Sequence, residues 1–173
     1  VAVMQHVKNT PDVSLGVAAF SEAQAREIQD QLDLLRRDAR QHDEFFTRSD
    51  LNRFFIKSLE NVQGDERDWI LFSTTFGRDG TGRFMRRFGA LGMKGGERRL
   101  NVATSRARDK VVIFSSMPIE EISDAHRQCK TPLRPRDFLQ SYLLYASAIS
   151  EGHLDEAEAL LNRLHRPSST RIA

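Results

Sequence analysis

Cysteine is almost missing from this chain: Cys129 is the only one in 173 residues. That excludes a disulfide framework and a cysteine metal cluster, and it fits a reducing cytoplasm. Histidine occurs five times (His6, His42, His126, His153 and His165), never at ligand spacing, which argues against a zinc site. No apolar run reaches membrane-spanning length and no signal peptide opens the sequence, so a soluble, cytoplasmic protein without a membrane partner is expected. Charge of either sign is nearly cancelled, with 26 Lys+Arg against 24 Asp+Glu, a net +2 and a pI near 8.9. A nucleic-acid partner therefore has to be argued from where the charge sits, not from its total. Internal repeats and low-complexity tracts are absent. The first residue is Val1, not an initiator methionine, and it opens a helix-like stretch, so the sequence is expected to be a piece of something longer.

What is present suits one domain with a real core plus an appendage, given 39% hydrophobic residues over this length. Ser14 to Phe20 is a short apolar run with polar flanks, as expected of a strand buried on both faces of a parallel sheet. Ser21 follows as a helix cap, and Ala25, Ile28, Leu32 and Leu35 form one apolar stripe in a helix from Glu22 to about His42. Further strands are predicted at Phe54–Ser58, Trp69–Thr75 and Lys110–Ser115. Alternating strands and helices give an α/β domain with a mostly parallel sheet, whose ligands gather at the carboxyl ends of its strands. The loops after Phe20, Ser58 and Thr75 are thus the places to search. Beyond Pro135, Asp137–Ile149 and Leu154–Leu164 read as a helical hairpin broken at Glu151–His153, followed by a frayed Arg166–Ala173. The expected organisation is a domain over 1–130 and a helical extension over 131–173.

Three segments carry candidate chemistry. The loop Glu60–Asp68 combines Gln63, Gly64 and Glu66, so it can offer backbone amides and a carboxylate to a ribose or a phosphate. A polar turn whose Asp65, Glu66 and Asp68 are solvated and paired with Arg67 explains the same residues, and a two-metal nuclease would need carboxylates from neighbouring strands as well. The window Arg78–Arg99 holds seven basic residues against Asp79 and Glu97, together with six of the ten glycines, and reads as a flexible cationic loop, either touching phosphates or simply solvated. Finally, Gly96 to Ser115 sets Arg106 and Arg108 on a short helix before an apolar strand. Two positions apart on a helix, only one of them can face a phosphate. An arginine held that way suits a transferring phosphoryl group. Gln24, early in its helix, could contact a base or cap a loop.

Taken together, Val17–Gln24, Leu59–Asp68 and Arg98–Ala107 resemble motifs IV, V and VI of the second RecA-like domain of superfamily 1 helicases. The similarity is strongest to the nonsense-decay-helicase-like group and the large bacterial helicase-related proteins, and it covers roughly Ser14 to Ser116. It implies a RecA-like parallel sheet flanked by helices, forming the second wall of an ATP-driven motor on a nucleic-acid strand. By this resemblance Arg106 matches the arginine finger, Gln63, Gly64 and Glu66 lie near the nucleotide, and Ser21, Ser58 and Asn61 touch the strand backbone. Those contacts would give affinity with little sequence preference. The implied partners are single-stranded nucleic acid, DNA ahead of RNA, and a first RecA-like domain holding most of the ATP and Mg²⁺. Thr104-Ser105 stands where the family has an aliphatic residue and then threonine, and serine keeps the hydroxyl. No Gly-x-x-x-x-Gly-Lys-Ser/Thr loop occurs, so the chain by itself should not hydrolyse ATP. The alternative is a non-catalytic docking module for nucleic acid or protein.

Overall fold

The computed structural model describes residues 1–124 and 133–164. The expected boundary at 130/131, the tail from Arg166 and Cys129 lie outside them. The chain divides into two compact units, 1–76 with 99–116 and 77–98 with the residues from 117 onward.

The first unit opens with α1 (Ala2–Asn9), whose Val3, Met4 and Val7 form a buried stripe. Strand β1 (Leu15–Ala19) is buried at every position: strands flank both its edges, and side chains pack over both its faces. Helix α2 (Glu22–Arg37) starts where the Ser21 hydroxyl accepts from the Gln24 N–H, with Glu22 at its positive end and Arg36 and Arg37 at its negative end. It stops at Arg37 instead of continuing to His42. Arg36 reaches Asp43 at 2.9 Å, and α3 (Asp43–Thr47) turns Phe45 back into the core. Leu35, expected on the buried stripe, sits in this last turn and is exposed.

Strand β2 (Phe55–Ser58), a 3₁₀ turn (Leu59–Asn61), β3 (Arg67–Ser73), α4 (Gly96–Thr104) and β4 (Ala107–Phe114) complete the pattern. The result is a four-stranded, all-parallel sheet in the order β2-β1-β3-β4, an α/β fold consistent with a RecA-like domain. Leu15, Val17 and Leu71 pack with Val3, Met4, Val7, Leu32 and Phe45 on one face. Each such side chain contributes about 1.5–3 kcal/mol when removed from water. On the other face Gly16 lies in register with Phe55 and Ile70, and a Cβ there would fall 2.4 Å from the Phe55 ring. Glycine is what lets those two side chains close over β1.

In the second unit the glycine-rich window is a loop up to Gly95 with local hydrogen bonding of its own. Arg78 and Phe84 form an antiparallel bridge, and Asp79 accepts from the Thr81 N–H and hydroxyl and from the Arg83 N–H. Those bonds, the Thr81 hydroxyl foremost, hold the Asp79 carboxyl below its ordinary value. Arg78 pairs with Glu121 and Arg86 with Asp124. Gly96 begins α4 against the Leu91 carbonyl, where a Cβ would lie 2.2 Å from the oxygen. The short α5 (Ile119–Ile122) carried no sequence signal. Helix α6 (Pro135–Glu151) packs on it through Gln140, which donates to the Ile119 and Ser123 carbonyls, and buried Asp137 accepts from the Ser123 hydroxyl. Gly152 caps α6 at φ +80° and leads into α7 (Leu154–Leu164), as the expected hairpin requires.

Candidate functional site

The segment from Leu59 to Glu66 starts at the carboxyl end of β2 and finishes at the amino end of β3, so it runs the height of the sheet. It thereby splits the candidate residues between two opposite ends. Ser21, Ser58 and Asn61 stand at the carboxyl ends of β1 and β2, as expected. Gly64 and Glu66 stand at the amino end of β3, at the far end of the loop that leaves β2.

At the amino end the organising residue is Arg67, which the polar-turn alternative would pair with its acidic neighbours. It is buried instead, and gives its donors to carbonyls: Nε to Arg53 at 2.7 Å, with further bonds to Arg53 and to Glu66. Its guanidinium lies over the Phe55 ring at 4.9 Å, and burial lowers its pKa below the ordinary guanidinium range. Arg67 N–H also donates to the Arg106 carbonyl at 3.0 Å, which joins the Glu66 segment to the turn before β4.

Arg106 and Arg108 are not on a helix. Helix α4 ends at Thr104, Arg106 occupies the turn, and Arg108 is the second residue of β4. The helix stops because Ser105 and Arg106 fold back, Ser105 Oγ donating to the Val102 carbonyl at 3.0 Å and Arg106 Nε to the same carbonyl at 2.9 Å. Arg106 Nη2 reaches Ser105 Oγ at 3.0 Å, so the hydroxyl at 105 aligns the guanidinium. Its Nη1 faces Glu66 Oε1 at 3.6 Å. The register between β3 and β4 pairs Arg67 with Ala107 but Trp69 with Lys110, so β4 carries one extra residue across the span that holds Arg108. Such a bulge re-aims the side chain it contains. Arg108 thereby also approaches Glu66, Nε to Oε2 at 4.0 Å, and meets Asp68 at 3.4 Å. The expectation that only one arginine could serve this site assumed a helix, and the turn and bulge bring both to it.

Asp68 is fixed from behind. Its Oδ2 accepts from the Ser14 N–H at 2.9 Å and the Ser14 hydroxyl at 2.7 Å, while its own N–H donates to that hydroxyl at 2.9 Å. These bonds, the Ser14 hydroxyl first and Arg108 after it, hold the Asp68 carboxyl below its ordinary range. Lys57 takes Asp65 at 2.6 Å. Beside the cluster is a cavity of about 500 Å³ whose lining includes Leu51, Arg53, Gly64, Glu66, Arg67 and Arg108. Gly64 adopts φ +88° at its edge, and Gln63 is exposed in the same turn. The wall from Ser49 to Arg53 had no signature in the sequence.

At the carboxyl end, Asn61 Nδ2 donates to Ser58 Oγ at 3.1 Å and to Glu22 Oε2 at 3.4 Å, which gathers the start of α2 and the end of β2. Ser58 is buried beneath exposed Asn61, and the Ser21 hydroxyl serves as the helix cap. The Gln24 backbone, not its amide side chain, makes that cap. Thr75, just past β3, sits at φ +63°, the one non-glycine in that region among the described residues.

The described residues contain no group of His, Cys, Asp or Glu arranged to hold a metal ion, and no helix among them is long and apolar enough to cross a membrane. His6 is a core residue, bonded to the Val13 carbonyl at 2.8 Å and packed edge-on to Trp69.

Residues 2–118 match a family described as the AAA domain. The chain is 34% identical over 139 residues to an uncharacterized ATP-dependent helicase of Mycoplasma pneumoniae, covering 79% of this chain and 12% of that protein. It is 33% identical over 144 residues to the Mycoplasma genitalium counterpart, again with 12% of that protein covered. The probable RNA helicase armi of Drosophila melanogaster is 41% identical over 73 residues, which is 42% of this chain and 6% of armi. Fold, site and relatives together define a helicase-type domain. The chain belongs to the AAA domain family. It spans only about an eighth of the length of the Mycoplasma relatives, by the 12% coverage.

Proposed function

We propose that this chain is the second RecA-like domain of a superfamily 1, nonsense-decay-like helicase, working in the cytoplasm as one wall of an ATP-dependent nucleic-acid motor. The observation that carries this reading is the placement of Arg106 and Glu66 at the amino end of the sheet. Ser105 holds Arg106, and its Nη1 is opposed only by a half-exposed carboxylate 3.6 Å away. A guanidinium so held can exchange that partner for a phosphate oxygen and neutralise charge as it develops. Arg106 stands across Glu66 from a cavity lined by Arg53, Arg67 and Arg108 as well as by Asp50, Asp65 and Glu66, and Gly64 supplies the turn at its edge. Bound ATP supplies the phosphoanhydride whose cleavage drives the motor. In this reading Mg²⁺ is held mainly by a first RecA-like domain, and the described residues offer no carboxylate cluster of their own for it. At the far end of the sheet, Ser21, Ser58 and Asn61 present hydroxyl and amide groups suited to the backbone of a single strand.

The relatives bear the names of ATP-dependent and RNA helicases, so both nucleic acids belong in the test. ATP hydrolysis by the full-length protein should be stimulated by single-stranded DNA or RNA, and the isolated chain, which lacks a phosphate-cradling loop, should be inactive. Arg106→Ala should abolish stimulated turnover while strand binding stays within about twofold. Turnover that survives Arg106→Ala refutes the assignment, and an unstimulated parent would favour a docking module instead.

A further inference from the structure

Arg108 lines the cavity without a role of its own in the proposed function, and it is placed between two carboxylates there. From Ser14 a chain of contacts crosses the amino end of the sheet: Ser14 to Asp68, Asp68 to Arg108 at 3.4 Å, Arg108 to Glu66 at 4.0 Å, and Glu66 to Arg106 at 3.6 Å. The charges alternate along it and sum to zero. Its Asp68 end is anchored by three hydrogen bonds to Ser14, whereas its Arg106 end is the one a phosphate would engage. If Arg106 leaves Glu66 for a phosphate, Glu66 becomes a bare carboxylate beside an incoming polyanion unless a second cation stays with it. Among the described residues Arg108 is the other cation paired with the Glu66 carboxylate, and Asp68 keeps it there.

We propose that Arg108 is a positioning residue for triphosphate binding: held by Asp68, it keeps Glu66 neutralised when Arg106 turns from Glu66 to a terminal phosphate. This rests on the proposed function, because it assumes that the amino-end cluster faces the nucleotide. Arg108 and Glu66 are each about half exposed, at 49% and 52%. Exposed pairs add little to folding, so the effect falls on affinity, not on the fold.

The test is equilibrium binding of a non-hydrolysable ATP analogue and of ADP to the full-length protein, measured by calorimetry, alongside melting temperature. Arg108→Gln should weaken the triphosphate analogue about fivefold, the factor that one unit charge at about 4 Å in water gives at 1.4 kcal/mol per tenfold. ADP, which lacks the terminal phosphate, should weaken less than the analogue, and melting should stay within about 2 °C of the parent. Arg108→Lys keeps the charge and should restore affinity to within twofold. The double variant Glu66→Gln/Arg108→Gln removes the uncompensated carboxylate and should bind as tightly as Glu66→Gln alone. Unchanged affinity in Arg108→Gln, or a double variant as weak as Arg108→Gln, overturns the inference. With Arg106→Ala assayed for turnover in parallel, the two failures separate. Loss of turnover in Arg106→Ala with normal binding in Arg108→Gln refutes only the role of Arg108, whereas full turnover in Arg106→Ala refutes the proposed function and this inference with it.

Discussion

Replacing Ser14 by alanine removes one hydroxyl and tests the amino end of the sheet. The Ser14 hydroxyl donates to Asp68 Oδ2 at 2.7 Å and accepts from the Asp68 N–H at 2.9 Å, and Ser14 itself is buried. The substitution leaves the Ser14 N–H bond to the carboxylate in place but removes a charge-assisted bond and orphans a backbone donor. Bonds to charged groups contribute about 1.5–3 kcal/mol and an unsatisfied donor costs about 1–3. The Asp68 side chain is a quarter exposed, so water recovers part of the loss, and a destabilisation of about 2–3 kcal/mol follows. For a chain of this size that is a melting decrease of roughly 5–10 °C, measurable by calorimetry. The pH dependence supplies a second check. The Asp68 carboxyl is held below its ordinary 3.8, so its stabilising contribution is present above that value and fades as pH falls through the lower, folded-state value. The gap between parent and Ser14→Ala should therefore be full near neutrality and narrow below about pH 4. A difference under about 0.5 kcal/mol at pH 7, or one of constant size down to acid unfolding, would refute the reasoning.

Gly64→Ala should destabilise by about 1–2 kcal/mol, read as a lower urea midpoint at unchanged slope, because φ is +88° while the new Cβ meets nothing within 4 Å. Equal stability would mean that the turn relaxes freely. In the second unit, burial first and Tyr145 second push the Tyr142 phenol from 10.0 up to about 12. Its contribution to stability is thus intact below pH 10 and lost as pH rises towards 12. Tyr142→Phe should remove the late step from an ultraviolet tyrosinate titration and move the onset of alkaline unfolding upward. A titration curve that keeps its late step after the substitution would assign that phenol elsewhere.

Much of the fold was legible because the apolar runs are short and separated by strong punctuation. Ser14–Phe20 reads as a doubly buried strand, and β1 is buried throughout in the middle of the sheet. Ser21 reads as a cap and caps α2, while the break at Glu151–His153 becomes the left-handed Gly152. The misreadings arose where one tertiary contact outweighed a local pattern. Leu35 continues an apolar stripe, but α2 ends two residues later, where Arg36 pairs with Asp43 and α3 returns Phe45 to the core. The glycine-rich window reads as a loop through Arg99, but its last four residues open α4, with Gly96 close against the Leu91 carbonyl.

The sequence alone settles the residue types at the site: a carboxylate at 66, a glycine at 64, arginines at 106 and 108, and polar groups at 21, 58 and 61. Order along the chain also determines the parallel α/β pattern, since that follows from local periodicity. Only the tertiary structure decides that these residues form two groups at opposite ends of one sheet. The split depends on the Leu59–Glu66 segment crossing its full height. Likewise a bulge in β4 and a buried arginine beneath Glu66 determine which arginine meets which carboxylate. Both features depend on contacts between residues some fourteen to fifty-four positions apart, such as Arg67 with Arg53 and Ser14 with Asp68, which no local pattern encodes.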